Sequence, residues 1–158
     1  MSTRASIAGH PIHPMLVTLP IGLWIFSMIC DFGFIITGDS TWAVTAFYTL
    51  GGGIVGALLA AVPGLIDLLG LDDPRASRIG IYHMVLNLAI VAVQAVNFWL
   101  RTGDEIAGAL PRGISIVAVL ALVASGWLGG HLVHVFGVTQ PKHAAQEAAH
   151  KERLHPRT

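Results

Sequence analysis

The chain has 158 residues, of which 54% are hydrophobic and only 11% charged. Soluble domains carry about 25% charged residues, so this composition excludes an ordinary water-facing surface and fits a lipid-facing one. Nine basic residues balance nine acidic ones, which argues against a basic surface for nucleic acid.

A bilayer core takes about 20 residues of apolar helix, and four segments reach that length: 15–36, 43–69, 79–100 and 113–138. Pro14 suits the first turn of the first helix, where a missing N–H costs nothing. Gly38, Asp39 and Ser40 form a turn after it. Asp72, Asp73 and Pro74 break the chain after the second segment. Gly103, Asp104, Glu105 and Pro111 bracket the third loop. Connections this short make consecutive helices antiparallel neighbours. The expected fold is therefore an all-α integral membrane protein, a four-helix bundle of up-down-up-down order over residues 1–138. Residues 139–158 read as a polar tail, where His143 and His150 would share a face if helical.

The N-terminus shows no pattern of a cleaved signal, because its apolar run is too long and lacks a small-residue cleavage site. Arg4, Arg75, Arg78, Lys142, Lys151, Arg153 and Arg157 fall on one side of the bundle, and Arg101 and Arg112 on the other. The positive-inside rule places the richer side in the cytoplasm. Both termini are thus expected in the cytoplasm, with the bundle in a bacterial inner membrane and the lipid bilayer as its first partner. Cys30, the single cysteine, reads as a buried apolar residue.

Within the spans, Gly52 with Gly56 and Gly126 with Gly130 are pairs of small residues that let helices approach. Pro63 is expected to kink the second helix. Trp42 and Trp99 fit the outer interfacial belt. Asp31 is expected to be structural, paired with Arg101 or Arg112 or bonded to Asn97 or the backbone. Asn87, Gln94 and Asn97 give the third helix a polar stripe, which interhelical hydrogen bonds explain.

The residues with chemical potential gather at the other end. His10 and His13 precede the first helix, Asp67 lies near the end of the second, His83 near the start of the third, and His131 and His134 near the end of the fourth. Ionisable groups in a bilayer are costly, so such a cluster is a candidate site. Histidines on facing helices can ligate a haem iron from two sides, or hold a metal ion. His83 with His131 or His134 is the expected axial pair, with His10 and His13 near the propionates. Asp67 would act as a carboxylate ligand, orient a ligating histidine, or pair with Arg75 or Arg78. Gly126, Gly129 and Gly130 either leave room for a flat cofactor or let two helices pack closely. Phosphate loops, zinc-protease motifs, CxxC pairs and nucleophile elbows are all missing from the sequence, so no enzyme class is indicated.

Several elements resemble a known family. They are Gly9-His10-Pro11-Ile12-His13-Pro14, Leu19-Pro20-Ile21-Gly22, Gly64-Leu65-Ile66-Asp67, His83 with Leu86-Asn87-Leu88, and Gly126-Trp127-Leu128-Gly129-Gly130. Together they look like the bacterial membrane family catalogued as domain of unknown function 2231, over all four spans but not the tail. His10, His13, Asp67 and His83 match the family's pattern. Some relatives are joined to a Rieske iron–sulfur domain, which implies an electron-transfer setting. This chain would then need a separate redox partner protein.

Three functional expectations follow. The first is a haem b electron-transfer protein. The second is a zinc, iron or copper site of His10, His13, Asp67 and His83, a nitrogen–oxygen donor set. The third is a non-catalytic subunit that assembles as a homo-oligomer or with a partner complex.

Overall fold

The structure is a computed structural model that describes residues 4–103 and 106–138. The expected polar tail and its histidines lie outside the described residues.

The chain opens with a β-hairpin in which β1 (Ser6–Ile7) pairs antiparallel with β2 (His10–Pro11), Ile7 opposite His10. Ala8 and Gly9 both take positive φ, 50° and 80°, the backbone of a tight turn whose twist suits a hairpin. The hairpin was not expected. It feeds α1 (Ile12–Leu16) and then α2 (Thr18–Thr37), which together make a candidate span of 26 residues. His13, expected before the first helix, lies inside α1. Gly38 closes α2 with φ 70°, a left-handed cap that glycine adopts without strain.

The next helix, α3 (Ser40–Leu68), starts on Asp39, whose Oδ1 accepts from the Thr41 N–H at 2.8 Å. Then α4 (Pro74–Leu100) starts on Asp73, with Pro74 in its first turn. The last, α5 (Ala109–Phe136), ends on Gly137 with φ 60°. Pro111 thus lies in the first turn of α5 instead of bracketing the loop, because a first-turn N–H needs no helical partner. All four long segments are long and apolar enough to cross a membrane.

Helices α2 and α3 pack closely, as do α4 and α5, while α3–α4 and α2–α5 touch more sparingly. The bundle is two helical hairpins laid side by side. Its interior combines small and polar residues with a core of Trp24, Leu50 and Ile90, while many large apolar side chains lie on its exterior, as lipid requires. Ala43, Ala46, Ala60, Ala76 and Ala118 are buried, while Leu58, Leu59, Val62, Val117 and Leu120 face outward. Trp42 and Trp99 are exposed near the ends of their helices, where the interfacial belt was expected.

Gly52 and Gly56 carry the α2–α3 contact. A Cβ on Gly52 would lie 3.3 Å from Leu23, and one on Gly56 3.1 Å from Leu19. The second small pair behaves differently. A Cβ on Gly126 or Gly130 would meet nothing within 4 Å, so these two leave space open instead of clasping a helix.

Call the end holding the N-terminus and the α3–α4 loop proximal, and the other end distal. At the distal end Arg101 donates to both oxygens of Asp31 at 2.7 Å. Arg101 also donates to Asn97 Oδ1 at 3.3 Å and Ser115 Oγ at 3.0 Å, and Asn97 donates to Gln94 Oε1 at 3.1 Å. All five side chains are buried. The network joins α2, α4 and α5 and absorbs most of the polar stripe on α4 as hydrogen bonds between helices.

Candidate functional site

The proximal end encloses a cavity of about 350 Å³, lined mostly by apolar side chains. That volume falls within the range of small-molecule sites. The polar groups on its wall are His13, Asp67, His83, Asn87 and Ser125.

His13 comes from α1, beside Pro14 at the first helical turn. Its Nδ1 donates to the Ala60 carbonyl on α3 at 2.8 Å. The ring lies against Gly64, where a Cβ would sit 2.7 Å from Nδ1. Pro63, just before Gly64, supplies no N–H to the helix. His83 sits on α4, and its Nδ1 donates to the Ser125 carbonyl on α5 at 3.0 Å. Gly129, one turn further along α5, gives the ring room, since a Cβ there would lie 3.1 Å from Cε1. The two imidazoles meet edge to face with centroids 6.3 Å apart.

A carbonyl only accepts, so each Nδ1 carries the proton and each Nε2 offers a lone pair. The His13 Nε2 has no partner among the described residues. The His83 Nε2 lies 3.2 Å from Asn87 Nδ2, which also donates to the His83 carbonyl at 2.7 Å. Fixing one ring nitrogen on a carbonyl so that the other can bind is how metal-ligating histidines are held.

Asp67 is buried in the last turn of α3, and its Oδ1 accepts from the Ala5 N–H at 2.8 Å. It ties the N-terminal hairpin to α3. It makes no ion pair with Arg75 or Arg78, because among the described residues the one ion pair is Arg101 with Asp31. The Arg4 side chain lies over Gly70.

The remaining expected site residues lie elsewhere. His10 is exposed on the hairpin and bonds the Ala8 carbonyl at 3.1 Å, away from the cavity wall. His131 and His134 are exposed on the outer side of α5, beside Trp127, which is 80% exposed. The structure does not bring either of them to His83. Helical phase explains this: His134 lies about 180° around the helix from Ser125, and His131 about 200° from Gly129, at 3.6 residues per turn. Nor do His10, His13, Asp67 and His83 form the expected four-ligand group. Among the described residues no three His, Cys, Asp or Glu side chains converge to hold one ion. Asn87 and Ser125 are the site residues the sequence reading left out. Their signal was spacing, with Asn87 one turn from His83 and Ser125 one turn from Gly129.

A family described as predicted membrane protein (DUF2231) matches residues 9–142. The chain belongs to this DUF2231 family. The match takes in β2, all four long helices and every residue of the cavity wall. No curated protein and no solved structure matches the chain. The DUF2231 protein is an integral membrane protein, and family membership carries no activity with it.

Proposed function

We propose that this DUF2231 protein binds haem b through His13 and His83 and transfers electrons within the membrane. The observation that supports the reading is the pair of imidazoles with Nδ1 held by carbonyls of separate helices, the His13 Nε2 without a partner among the described residues and the His83 Nε2 met by the Asn87 amide alone. A haem brings four ring nitrogens of its own, so two protein ligands suffice. A bare zinc ion takes three or four protein ligands, and no such group converges among the described residues. Gly126 and Gly130 line the edge of the cavity with open space beside them, which leaves room for a flat macrocycle to extend past α5. When bound, the iron would carry one electron at a time, and a separate redox protein would exchange it.

His13 and His83 would ligate, and Asn87 would keep only its bond to the His83 carbonyl. The placement of Arg4, Arg75 and Arg78 at the proximal end supports a cytoplasmic site in a bacterial inner membrane. The test is an optical spectrum of the detergent-purified full chain, oxidised and then dithionite-reduced, with metal analysis of the same sample. A Soret band with sharp reduced α and β bands is expected. A featureless spectrum overturns the haem reading, and stoichiometric metal without a Soret band would replace it with a non-haem ion.

A further inference from the structure

The cavity offers lone pairs and few free protons. Asn87 spends its amide hydrogens on His83, and each imidazole Nδ1 proton is spent on a carbonyl. What remains are mainly acceptors, the His13 Nε2, the Asn87 Oδ1 and the Asp67 carboxylate, beside one hydroxyl, that of Ser125, whose Oγ lies 3.2 Å from His83 Nδ1. A ligand that satisfies this wall must bring hydrogen-bond donors or positive charge.

Asp67 sharpens the requirement. It is 8% exposed and lines the cavity. Its Oδ1 holds the Ala5 N–H, and its Oδ2 has no partner among the described residues. Among the described residues no cation lies within ion-pair distance of it, whereas the buried Asp31 is matched by Arg101. A carboxylate taken out of water without a counter-charge is costly. Its position raises that cost, because the C-terminal turn of a helix is the negative end of the dipole. The remaining wall is apolar: Pro14, Val17, Leu65, Leu68 and Leu71 surround this mouth.

From this placement we infer that the proximal cavity binds a membrane-soluble ammonium group, its N–H bonds directed at Asp67 and its apolar body against α1, α2 and α3. The inference goes beyond the haem reading and does not rest on it, since Asp67 lies one turn beyond the Gly64 that supports His13. The ammonium belongs either to a free lipophilic amine or to an aminophospholipid headgroup, and these share the same chemistry.

The test is calorimetric titration of the purified full chain, in phosphatidylcholine nanodiscs, with phenylbutylamine and with its neutral counterpart phenylbutanol. The amine is expected to bind at least about tenfold more tightly than the alcohol, the weight of one charged hydrogen bond. Asp67→Asn keeps an acceptor for the Ala5 N–H and removes the charge, so it is expected to erase that preference. Repeating the titration in phosphatidylethanolamine nanodiscs separates the sources: a weaker amine affinity there assigns the site to the lipid headgroup, and an unchanged one to a free amine. Equal binding of amine and alcohol, or no amine binding, overturns the inference without using any variant. An optical spectrum recorded on the same sample keeps the two readings apart. Amine binding with a featureless spectrum removes haem alone, and a Soret band without amine binding removes the ammonium alone.

Discussion

The rings of His13 and His83 stand edge to face, with centroids 6.3 Å apart and planes at 89°. One belongs to the lead-in of the first span and the other to the third. Each is fixed from behind by a carbonyl of a different helix, so the pair is built by three interhelical contacts and not by sequence neighbourhood.

This geometry separates the histidines by consequence. Under the proposed haem ligation, His13→Ala and His83→Ala are each expected to abolish the Soret band. His131→Ala and His134→Ala, on the outer face of α5, are expected to retain it and to change stability by no more than about 0.5 kcal/mol. Haem-to-protein ratios for the four variants check this. Loss of the chromophore in His134→Ala with retention in His13→Ala would reverse the assignment.

The glycines make a second contrast. A Cβ on Gly53 would overlap the Trp24 indole, which is buried and donates to the Leu50 carbonyl at 3.2 Å. Gly53→Ala is expected to cost about 1–3 kcal/mol, the usual penalty of overpacking, and to shift the tryptophan emission. Gly130→Ala, with open space around it, is expected to leave the melting temperature unchanged. Equal melting temperatures for both variants would contradict the contrast.

Much of this was legible before any coordinates. Span number and a structural role for Asp31 follow from hydropathy and from the cost of unpaired charge in lipid, although the sequence did not choose Arg101 over Arg112, Asn97 or the backbone as its partner. Alternating helix direction led to a cluster of His10, His13, Asp67, His83, His131 and His134, of which His13, Asp67 and His83 line the cavity. What failed to follow was rotation about each helix axis. His131 and His134 have the right depth but the wrong phase, and a depth argument cannot see phase. Ser125 and Gly129 set that phase, yet a small residue carries no sign of what packs on it. The hairpin was hidden for a different reason: Ala8 takes a positive φ, which alanine does not advertise.

Asp39 gives a pH dependence outside the membrane. Its carboxylate is held below the ordinary value of 3.8 chiefly by the Thr41 backbone N–H at the start of α3. A depressed folded-state value means that the stabilisation is complete above the unfolded value and fades as pH falls through the folded one. The wild type is therefore expected to melt higher than Asp39→Ala above pH 3.8, with the gap closing at lower pH. A gap that stays constant into strong acid would show that the charge contributes nothing.

The excess of Lys and Arg at the proximal end calls for opposite reporters on the two sides of α5. A fusion in the loop between α4 and α5 is expected to report the periplasmic side, and one placed after residue 138 the cytoplasmic side. The four candidate spans require the two to differ. If both report one side, the antiparallel order of the last two helices fails, and with it the meeting of His83 and Ser125.

The distal network tests whether the bundle depends on its buried charges. Arg101 is 1% exposed and binds Asp31 through two nitrogens. Arg101→Met leaves the Asp31 carboxylate among apolar atoms, which is expected to cost about 3–5 kcal/mol. Removing both charges, as Arg101→Met with Asp31→Leu, leaves no orphaned ion and is expected to recover most of that loss. Thermal unfolding of the two variants in one detergent decides the matter. A double variant as unstable as the single one would mean that Asn97 and Ser115, which also bind Arg101, need the guanidinium more than Asp31 does. The network would then serve to position α4 against α5, the pair of helices that carries His83 and Ser125.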